Sequence, residues 1–274
     1  MADPALDAIR RALTEDRAAD DVTTRLLGDA VNTAATARFV AEGRFVVAGL
    51  PIAAIVFREL DPGAELTPEC FEGTWAVAGK AIAIARGRAG ALLAGERVAL
   101  NFLQRLSGIA TLTREVVEAV AGTPARVTHT RKTTPGLRVL EQYAVRVGGG
   151  VDNRASLADA ILWKDNHWAL LNGHSLADTL RRAPPGKPVI VEVETDAQLE
   201  EALAAGVKHI LIDNQPPERL AAWVQRAGAG ITIQASGGIT RENARAYADA
   251  GADLIAIGAL THSAPSAPIS CEIA

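Results

Sequence analysis

Cationic side chains are concentrated between residues 130 and 167, although the chain has a net charge of −4. Arg131 and Lys132 follow one apolar, strand-like run. Arg154 follows a glycine-rich turn, and Lys164 follows a second apolar run. Taken singly, such residues are usually solvated surface charges. Their shared placement after strands and turns predicts a pocket for a small molecule that carries several negative charges.

Two acidic residues also end strand-like runs, and they are the natural counterparts of these cations. Glu192 is the last residue but one of the run V-I-V-E-V, and Asp213 closes the run H-I-L-I-D. Their positions argue against simple surface exposure. A structural network of salt bridges between the acids and the cations is the alternative to a binding site.

Two glycine-containing segments predict a phosphate site. They read S-G-G-I at Ser236–Ile239 and G-A-L-T-H-S at Gly258–Ser263. Glycine lets backbone N–H groups approach phosphate oxygens, and the last two loops of a β/α barrel commonly hold a phosphate. Gly237 and His262 lie in these segments and are candidate substrate-binding residues. The run of three glycines before Arg154 lacks the spacing of a dinucleotide-binding loop.

The elements that carry these residues alternate between short apolar strands and helical runs. Helices that end at glycine are expected over 197–205, 218–227 and 241–250, the last with Thr240 as its N-cap. Repeated β-α units predict a parallel sheet covered by helices. The strands fall short of eight, so the predicted barrel is open or incomplete. The strand candidates are 125–128, 158–162, 189–193, 209–212, 231–235 and 254–257.

The first hundred residues show mixed strand and turn signals and predict a separate α/β domain. The helical stretch 89–121 is expected to break at Ser107–Gly108. We therefore predict a first domain over 1–104 and a catalytic domain over 105–264. The apolar tail 265–274 is expected to return to the first domain as a strand.

Composition excludes several classes of protein. A negatively charged chain is unlike a nucleic-acid binder, and no stretch approaches the roughly 20 apolar residues of a membrane span. The start, M-A-D-P-A-L-D, lacks the pattern of a secretory signal. Cys70 and Cys271 fit no metal or redox spacing and are expected to be reduced thiols. The histidines also show no metal-binding spacing, so we predict no metal ligand in the chain and a cytoplasmic location.

Many ordered motifs make the chain similar to one known family. The motifs are L-T-E-D, D-V-T-T, V-A-G-L, G-E-R-V-A-L-N-F-L-Q-R-L-S-G-I-A-T, T-R-K-T-T-P-G-L-R, Y-A-V-R-V-G-G-G, K-D-N-H, I-D-N, A-S-G-G-I and G-A-L-T-H-S. Through them the chain resembles quinolinate phosphoribosyltransferase, also called nicotinate-nucleotide pyrophosphorylase (carboxylating), nearly from end to end.

The resemblance implies an N-terminal α/β-sandwich domain and an open, incomplete β/α barrel of the type II phosphoribosyltransferase kind. It also implies a homodimer with shared active sites, in which Arg97 of the G-E-R motif reaches the partner subunit's site. The resemblance leaves open whether the dimers assemble into a higher oligomer. The implied substrates are a pyridine dicarboxylate and phosphoribosyl pyrophosphate, and the pyrophosphate group carries Mg²⁺.

The resemblance also assigns roles to the candidate residues. Lys132, Glu192 and Asp213 are the implied catalytic residues. Glu194 is an alternative to Glu192, because residues two apart on a strand point the same way. The implied substrate-binding residues are Arg97, Arg131, Asn153, Arg154, Lys164, Ser236, Gly237, Gly258 and His262.

The family reaction joins quinolinate to phosphoribosyl pyrophosphate and yields nicotinate mononucleotide, pyrophosphate and CO2. The chain departs from the family pattern at three points. Asn153 stands where the family usually has histidine, Gln234 where it has glutamate, and Ala18–Asp21 replaces a G-x-G-D turn. A paralogous enzyme that uses another aromatic or pyridine acid, or a non-catalytic protein that binds a phosphoribosyl ligand, is therefore the alternative.

Overall fold

The computed structural model describes residues 4–274, so the first three residues of the predicted first domain lie outside it. The chain forms two compact units. The first contains the residues up to Arg114 together with Thr133–Gly149 and Leu260–Ala274. The second contains Glu115–Lys132 and Gly150–Ala259.

The first unit combines an antiparallel sheet with helices. Its helices are α1 (Pro4–Glu15), α2 (Val22–Arg25), α3 (Leu50–Leu60), α4 (Ala89–Ala119, counted with the second unit from Glu115 onward), α5 (Arg138–Val147) and α11 (Ala259–His262, counted with this unit from Leu260 onward). Its strands are β1 (Ala34–Ala41), β2 (Phe45–Val46), β3 (Glu65–Pro68), β4 (Trp75–Ala76), β5 (Ala81–Arg88) and β12 (Ile269–Ile273).

The main sheet of the first unit has the strand order β12-β1-β5-β3, and all its pairs are antiparallel. The C-terminal strand β12 pairs with β1, so that Phe39 lies opposite Cys271. Burial follows the apolar residues of β1 and β5, because one face of the sheet packs into the core. Phe39 and Ile82 are fully buried there.

Helix α4 is continuous, and the predicted break at Ser107–Gly108 is wrong. A Cβ atom on Gly108 would overlap the carbonyl oxygen of Pro265 and lie 3.0 Å from its carbonyl carbon. The glycine is therefore needed for a close approach of two backbone segments. The Ser107 hydroxyl accepts a hydrogen bond from the Ala48 N–H at 3.0 Å. The serine–glycine pair thus serves packing within the first unit and does not end the helix.

The second unit contains six parallel strands and the helices between them. Its strands are β6 (Arg126–Thr128), β7 (Ile161–Trp163), β8 (Val189–Val193), β9 (His209–Asp213), β10 (Thr232–Ser236) and β11 (Leu254–Ala256). Its complete helices are α6 (Asp165–Ala169), α7 (Leu176–Leu180), α8 (Asp196–Ala204), α9 (Pro217–Ala227) and α10 (Ala244–Asp249).

The sheet order in the second unit is β6-β11-β10-β9-β8-β7. Every neighbouring pair is parallel, and within residues 4–274 the edge strands β6 and β7 do not pair with each other. The mixed α/β fold with an open parallel layer confirms the predicted fold class. Thr240 is not a helix N-cap, because α10 begins three residues later than expected, after Asn243. The Asn243 side chain instead accepts a hydrogen bond from the Thr240 N–H at 2.8 Å.

Strand register places side chains from adjacent strands in rows. Glu192 of β8 pairs with Leu211 of β9, which also pairs with Gln234 of β10. Asp213 pairs with Ser236 two positions further on. Because successive side chains alternate between the faces of a sheet, both rows point the same way. The carboxyl ends of the strands therefore bring polar groups together. Among residues 4–274, no helix is both long enough and apolar enough to cross a membrane.

Candidate active site

A cleft of about 690 Å³ opens at the carboxyl ends of the parallel strands, entirely within the second unit. Both cationic loops and the acidic strand ends contribute to it. The sequence had predicted that these residues form one pocket for an anionic molecule. Eight of the twelve predicted site residues line the cleft: Arg131, Lys132, Asn153, Arg154, Lys164, Glu192, Asp213 and Ser236.

The other four predicted residues are not among those that line the cleft. Gly237 directly follows the lining residue Ser236 of β10, and Gly258 comes two residues after the lining residue Ala256 of β11. Arg97, on α4, and His262, in α11, belong to the first unit and are exposed. The His262 Nδ1 atom lies 2.6 Å from the Ser263 hydroxyl oxygen.

The two arginines of the cleft lie close enough for their charges to repel each other. The Nε atom of Arg131 is buried and has no hydrogen-bond partner within residues 4–274. Arg154 donates from Nη1 to the Ala160 carbonyl oxygen at 3.2 Å. Burial, followed by the nearby charge of Arg131, lowers the pKa of Arg154. An anion in the cleft would accept a hydrogen bond from the unpaired donor and would reduce the repulsion between the two guanidinium groups.

The acidic groups lie on the adjacent strands. Glu192 is only 7% exposed, and its Oε2 atom is 3.9 Å from the Lys164 ammonium. Burial raises the pKa of Glu192; Lys164 opposes the increase and Asp213 adds to it. Glu192 is therefore a carboxylate partly removed from water, with one cation beside it.

Three carboxylates meet at this end of the sheet. One oxygen each from Glu192, Glu194 and Asp213 lie within 4.8 Å of one another. Glu192 lies in β8, Glu194 comes directly after the last residue of that strand, and both line the cleft. Converging carboxylate oxygens suit a hard divalent cation such as Mg²⁺, particularly one that brings other ligands with it. The sequence had predicted no metal ligand because it contains no contiguous motif, and the three acids converge only through strand register.

Asn153 is held by the turn that follows β6. Its Nδ2 atom donates to the His129 carbonyl at 3.2 Å, and its Oδ1 atom accepts from the Arg154 N–H at 2.8 Å. The buried His129 ring lies 3.4 Å from an Asp152 carboxylate oxygen. The amide of Asn153 therefore connects the cationic turn to the end of β6.

Gly237 is required by packing at the end of β10. Its φ angle is +90°, and a Cβ atom there would lie 2.6 Å from the backbone nitrogen of Asn214. A side chain would thus be strained and would also clash. The turn at Gly237 directly follows Ser236, which lines the cleft.

Sequence reasoning missed several residues that line the cleft. Thr130 lies next to the predicted Arg131, and Asp165 and His167 lie within the K-D-N-H segment. Asn214 lies within I-D-N. The available signal was position, because each lies within a few residues of a strand's carboxyl end.

The first unit holds a second cavity of about 540 Å³, and no predicted site residue lines it. It lies against α1, α4 and the segment Thr134–Leu137. Since the converging charges line the other cleft, we assign the candidate chemistry to the second unit.

Comparison with known proteins gives one consistent result. Residues 21–107 match the family described as quinolinate phosphoribosyl transferase, N-terminal domain, and residues 109–272 match the C-terminal domain of the same family. The chain is 42% identical over 270 residues to nicotinate-nucleotide pyrophosphorylase (carboxylating) of Mycobacterium leprae, covering 95% of this chain and 94% of that protein.

Solved structures agree with these matches. The crystal structure of NadC from Streptococcus pyogenes aligns with a TM-score of 0.91 at 37% identity, covering 98% of this chain and 95% of that one. The nicotinate-nucleotide pyrophosphorylase of Francisella tularensis also aligns with a TM-score of 0.91, at 30% identity, covering 99% and 96% of the two chains.

Proposed function

This chain belongs to the quinolinate phosphoribosyl transferase family, and we propose that it transfers the phosphoribosyl group of phosphoribosyl pyrophosphate to quinolinate. The products are nicotinate mononucleotide, pyrophosphate and CO2, so the enzyme acts in NAD biosynthesis. The observation that carries the proposal is the cleft of the second unit, which is lined by four cations and by the three converging carboxylates. Both substrates are multiply anionic, and the reaction develops positive charge on the ribose.

The cations bind and orient the substrates. Arg131 has a buried, unpaired Nε donor, and Arg154 lies close enough to it for their charges to interact. A guanidinium presents two parallel N–H donors that match a carboxylate. We assign these arginines to the pyridine carboxylates, while Lys132 and Lys164 complete the pocket and neutralise the phosphates.

The acids stabilise the ribosyl group as the bond to pyrophosphate breaks. The ring nitrogen of quinolinate forms a bond to the anomeric carbon, and the electron pair of the breaking C–O bond leaves with pyrophosphate. Glu192 and Asp213 oppose the positive charge that develops on the ribose. Mg²⁺ enters as part of the phosphoribosyl pyrophosphate substrate, and the carboxylates of Glu192, Glu194 and Asp213 are suitable oxygens to hold it.

Decarboxylation follows from the charge on the pyridinium ring. Once the ring nitrogen carries the ribosyl group, the electron pair of the breaking C–CO2 bond stays on the ring carbon, where the pyridinium charge stabilises it, and a proton from water then takes the place of CO2. The protein then needs no covalent nucleophile, and its contribution is position and electrostatic field. Ser236, Gly237 and Gly258 are our proposed residues for the 5-phosphate, and His262 is a further proposed substrate-binding residue.

Assembly and location complete the proposal. We expect a homodimer in which Arg97 of one subunit reaches the cleft of the other, with a higher oligomer left open. The free thiols of Cys70 and Cys271 agree with a reducing, cytoplasmic environment.

One observation favours a second candidate function. Asn153 gives the acceptor side a neutral amide where the family pattern has a histidine, so a paralogous enzyme that takes another aromatic acid is the alternative. A panel of pyridine acids, each supplied with phosphoribosyl pyrophosphate, separates the two. Quinolinate should give the highest kcat/KM, and a higher value for another acid would favour the paralogue.

Substitution tests the cleft itself. Ala at Arg131, Lys132 or Lys164 removes a charge-assisted contact worth roughly 1.5–3 kcal/mol. The value of kcat/KM should therefore fall by about ten- to a hundredfold or more, with little change in melting temperature. Lys208→Ala is the matched control, because Lys208 is an exposed lysine of the same unit just before β9. Full activity in all three cleft variants would contradict the assignment of this cleft as the substrate-binding site.

A further inference from the structure

A buried ion pair in the first unit ties together two chain segments that adjoin proposed substrate-binding residues. Glu141 on α5 is fully buried. Its Oε1 atom accepts hydrogen bonds from Nε and Nη2 of Arg105 on α4, at 3.1 and 2.8 Å. The same carboxylate accepts from the Thr134 N–H at 3.0 Å and from the Thr134 hydroxyl at 2.8 Å.

Arg105 extends the connection to another part of the chain. Its Nη1 atom donates to the Ala264 carbonyl at 3.1 Å, and its Nη2 atom also donates to the Thr261 carbonyl. The two side chains therefore make six hydrogen bonds. Two are between themselves, and the other four go to the segments at Thr134 and at Thr261–Ala264.

Each of these segments lies beside a proposed substrate-binding residue in the sequence. Thr134 follows Lys132 by two residues, and Thr261 immediately precedes His262. Both Lys132 and His262 are proposed substrate-binding residues. The pair thus fixes the backbone close to two residues that come from distant parts of the chain.

We propose that Arg105 and Glu141 are positioning residues for the phosphoribosyl transfer, an inference that rests on the proposed function. They act through the segments that they hold and do not touch substrate. Well-packed apolar residues stabilise a helix pair about as well as a buried ion pair does. Apolar residues cannot, however, accept from the Thr134 N–H or donate to the carbonyls of Thr261 and Ala264. The directional bonds are therefore the part of this pair that packing cannot replace.

The chain offers a matched control within the same unit. Asp61 is 7% exposed, lies 3.3 Å from an Arg88 guanidinium nitrogen, and accepts hydrogen bonds from the backbone of Gly63 and Arg88. It is thus also a buried carboxylate that joins a cation and backbone N–H groups. No proposed site residue lies near it in the sequence, so its loss tests stability alone.

The experiment compares the paired variant Arg105→Met/Glu141→Leu with wild type and with Asp61→Asn. Melting temperature, kcat/KM for quinolinate, affinity for inorganic pyrophosphate with Mg²⁺, and amide hydrogen exchange are measured for each. We expect kcat/KM to fall by about ten- to a hundredfold, because small misplacements of binding groups have effects of this size. Exchange should accelerate in 133–137 and 260–264, and pyrophosphate should bind at least several-fold more weakly. Asp61→Asn should keep wild-type kcat/KM whatever its melting temperature.

Wild-type kinetics in the paired variant would overturn the proposal, and so would unchanged exchange in both segments. If the paired variant does not fold, Glu141→Gln takes its place, because the amide keeps an acceptor for Thr134 but loses the charge that Arg105 requires. We then expect faster amide hydrogen exchange at 260–264 and a reduced affinity for pyrophosphate. If both values are unchanged, the positioning role of Arg105 and Glu141 is contradicted. If the wild-type protein has no transferase activity, the proposed function is rejected. Amide hydrogen exchange and pyrophosphate affinity would still test the role of Arg105 and Glu141.

Discussion

At the scale of single residues, the cleft is defined by charges that are partly removed from water. Glu192 is the clearest case, because it is 7% exposed and its nearest cation lies 3.9 Å away. Burial raises its pKa above the ordinary value of 4.5. The folded protein therefore holds the Glu192 proton more tightly than the unfolded chain does. At pH values above the raised pKa, the ionised carboxylate reduces stability, and this penalty disappears as the pH falls below 4.5.

Glu192→Gln should consequently melt at a higher temperature than wild type at pH 7 and lose activity. The neutral amide removes the desolvated charge, while the freed Lys164 remains accessible to water and adds only a small effect. We expect kcat to fall by about a hundredfold, as for other groups that stabilise transition-state charge. The gain in melting temperature should shrink between pH 7 and pH 4. A variant that is less stable than wild type at pH 7 would contradict this reading of Glu192.

Asn153→His should improve the use of quinolinate relative to nicotinate. A histidine can offer positive charge to the second carboxylate, whereas the amide offers only a neutral donor. The gain in kcat/KM is at most about tenfold, or roughly 1.4 kcal/mol, because the cleft is already cationic. Turnover of both acids is measured in wild type and variant. An unchanged ratio would mean that Asn153 serves only its contacts with His129 and Arg154.

Much of the cleft could be predicted at this scale, because strand ends are visible in the sequence. Arg131, Lys164 and Asp213 all follow or end apolar runs, and parallel strands bring such positions together. The Arg105–Glu141 pair could not be predicted, since its partners lie on two helices 36 residues apart and no local pattern links them. The convergence of Glu194 with the other acids likewise required the register of two strands.

At the scale of elements, the predicted strands and helices of the second unit mostly end within one residue of the observed ones, because each strand is a short apolar run bounded by turn signals. The exceptions are β7, which begins three residues later than the predicted 158–162, and the start of α10. Helix α10 begins after Asn243, three residues later than expected, and the Asn243 side chain accepts from the Thr240 N–H. In α4, the sequence interpreted Gly108 as a break, whereas the glycine allows the Pro265 backbone to pass beside the helix. The partner of such a contact, 157 residues away, has no signature in the local sequence.

Gly108→Ala should destabilise the protein, although alanine is the better helix former by about 1 kcal/mol. The added methyl group would overlap the Pro265 carbonyl, and overpacking of this kind typically costs about 1–3 kcal/mol. Chemical denaturation measures the difference in the free energy of unfolding. A variant as stable as wild type would show that the segment around Pro265 moves aside without penalty.

At the scale of the whole molecule, the chain divides into two compact units, and the cleft belongs to one of them. The predicted domain limits at residues 104 and 264 remain a prediction. Arg97 lies exposed in the first unit and is not among the residues that line the cleft. Our proposal that it acts in the partner's cleft makes assembly a requirement for activity.

Complementation between two inactive variants tests shared sites. Arg97→Ala and Lys132→Ala homodimers should each be nearly inactive. After subunit exchange, a hybrid dimer contains one cleft with Lys132 intact and an intact Arg97 supplied by the other subunit. Activity should therefore return to about a quarter of the wild-type value, since half of the dimers are hybrids with one complete site of two. Mass spectrometry first establishes that the subunits have exchanged. If activity then does not return, a shared site is rejected.

The most direct test of the central claim is a measurement of both small products in one reaction. Purified protein is supplied with phosphoribosyl pyrophosphate, Mg²⁺ and quinolinate labelled in the carboxyl group that is lost, and pyrophosphate and labelled CO2 are counted together. We expect both products to be released in equal amounts. Lys132→Ala should slow the release of both to the same extent, and Lys208→Ala should slow neither. Pyrophosphate without CO2, or neither product at substrate concentrations that saturate binding, would contradict the proposed function.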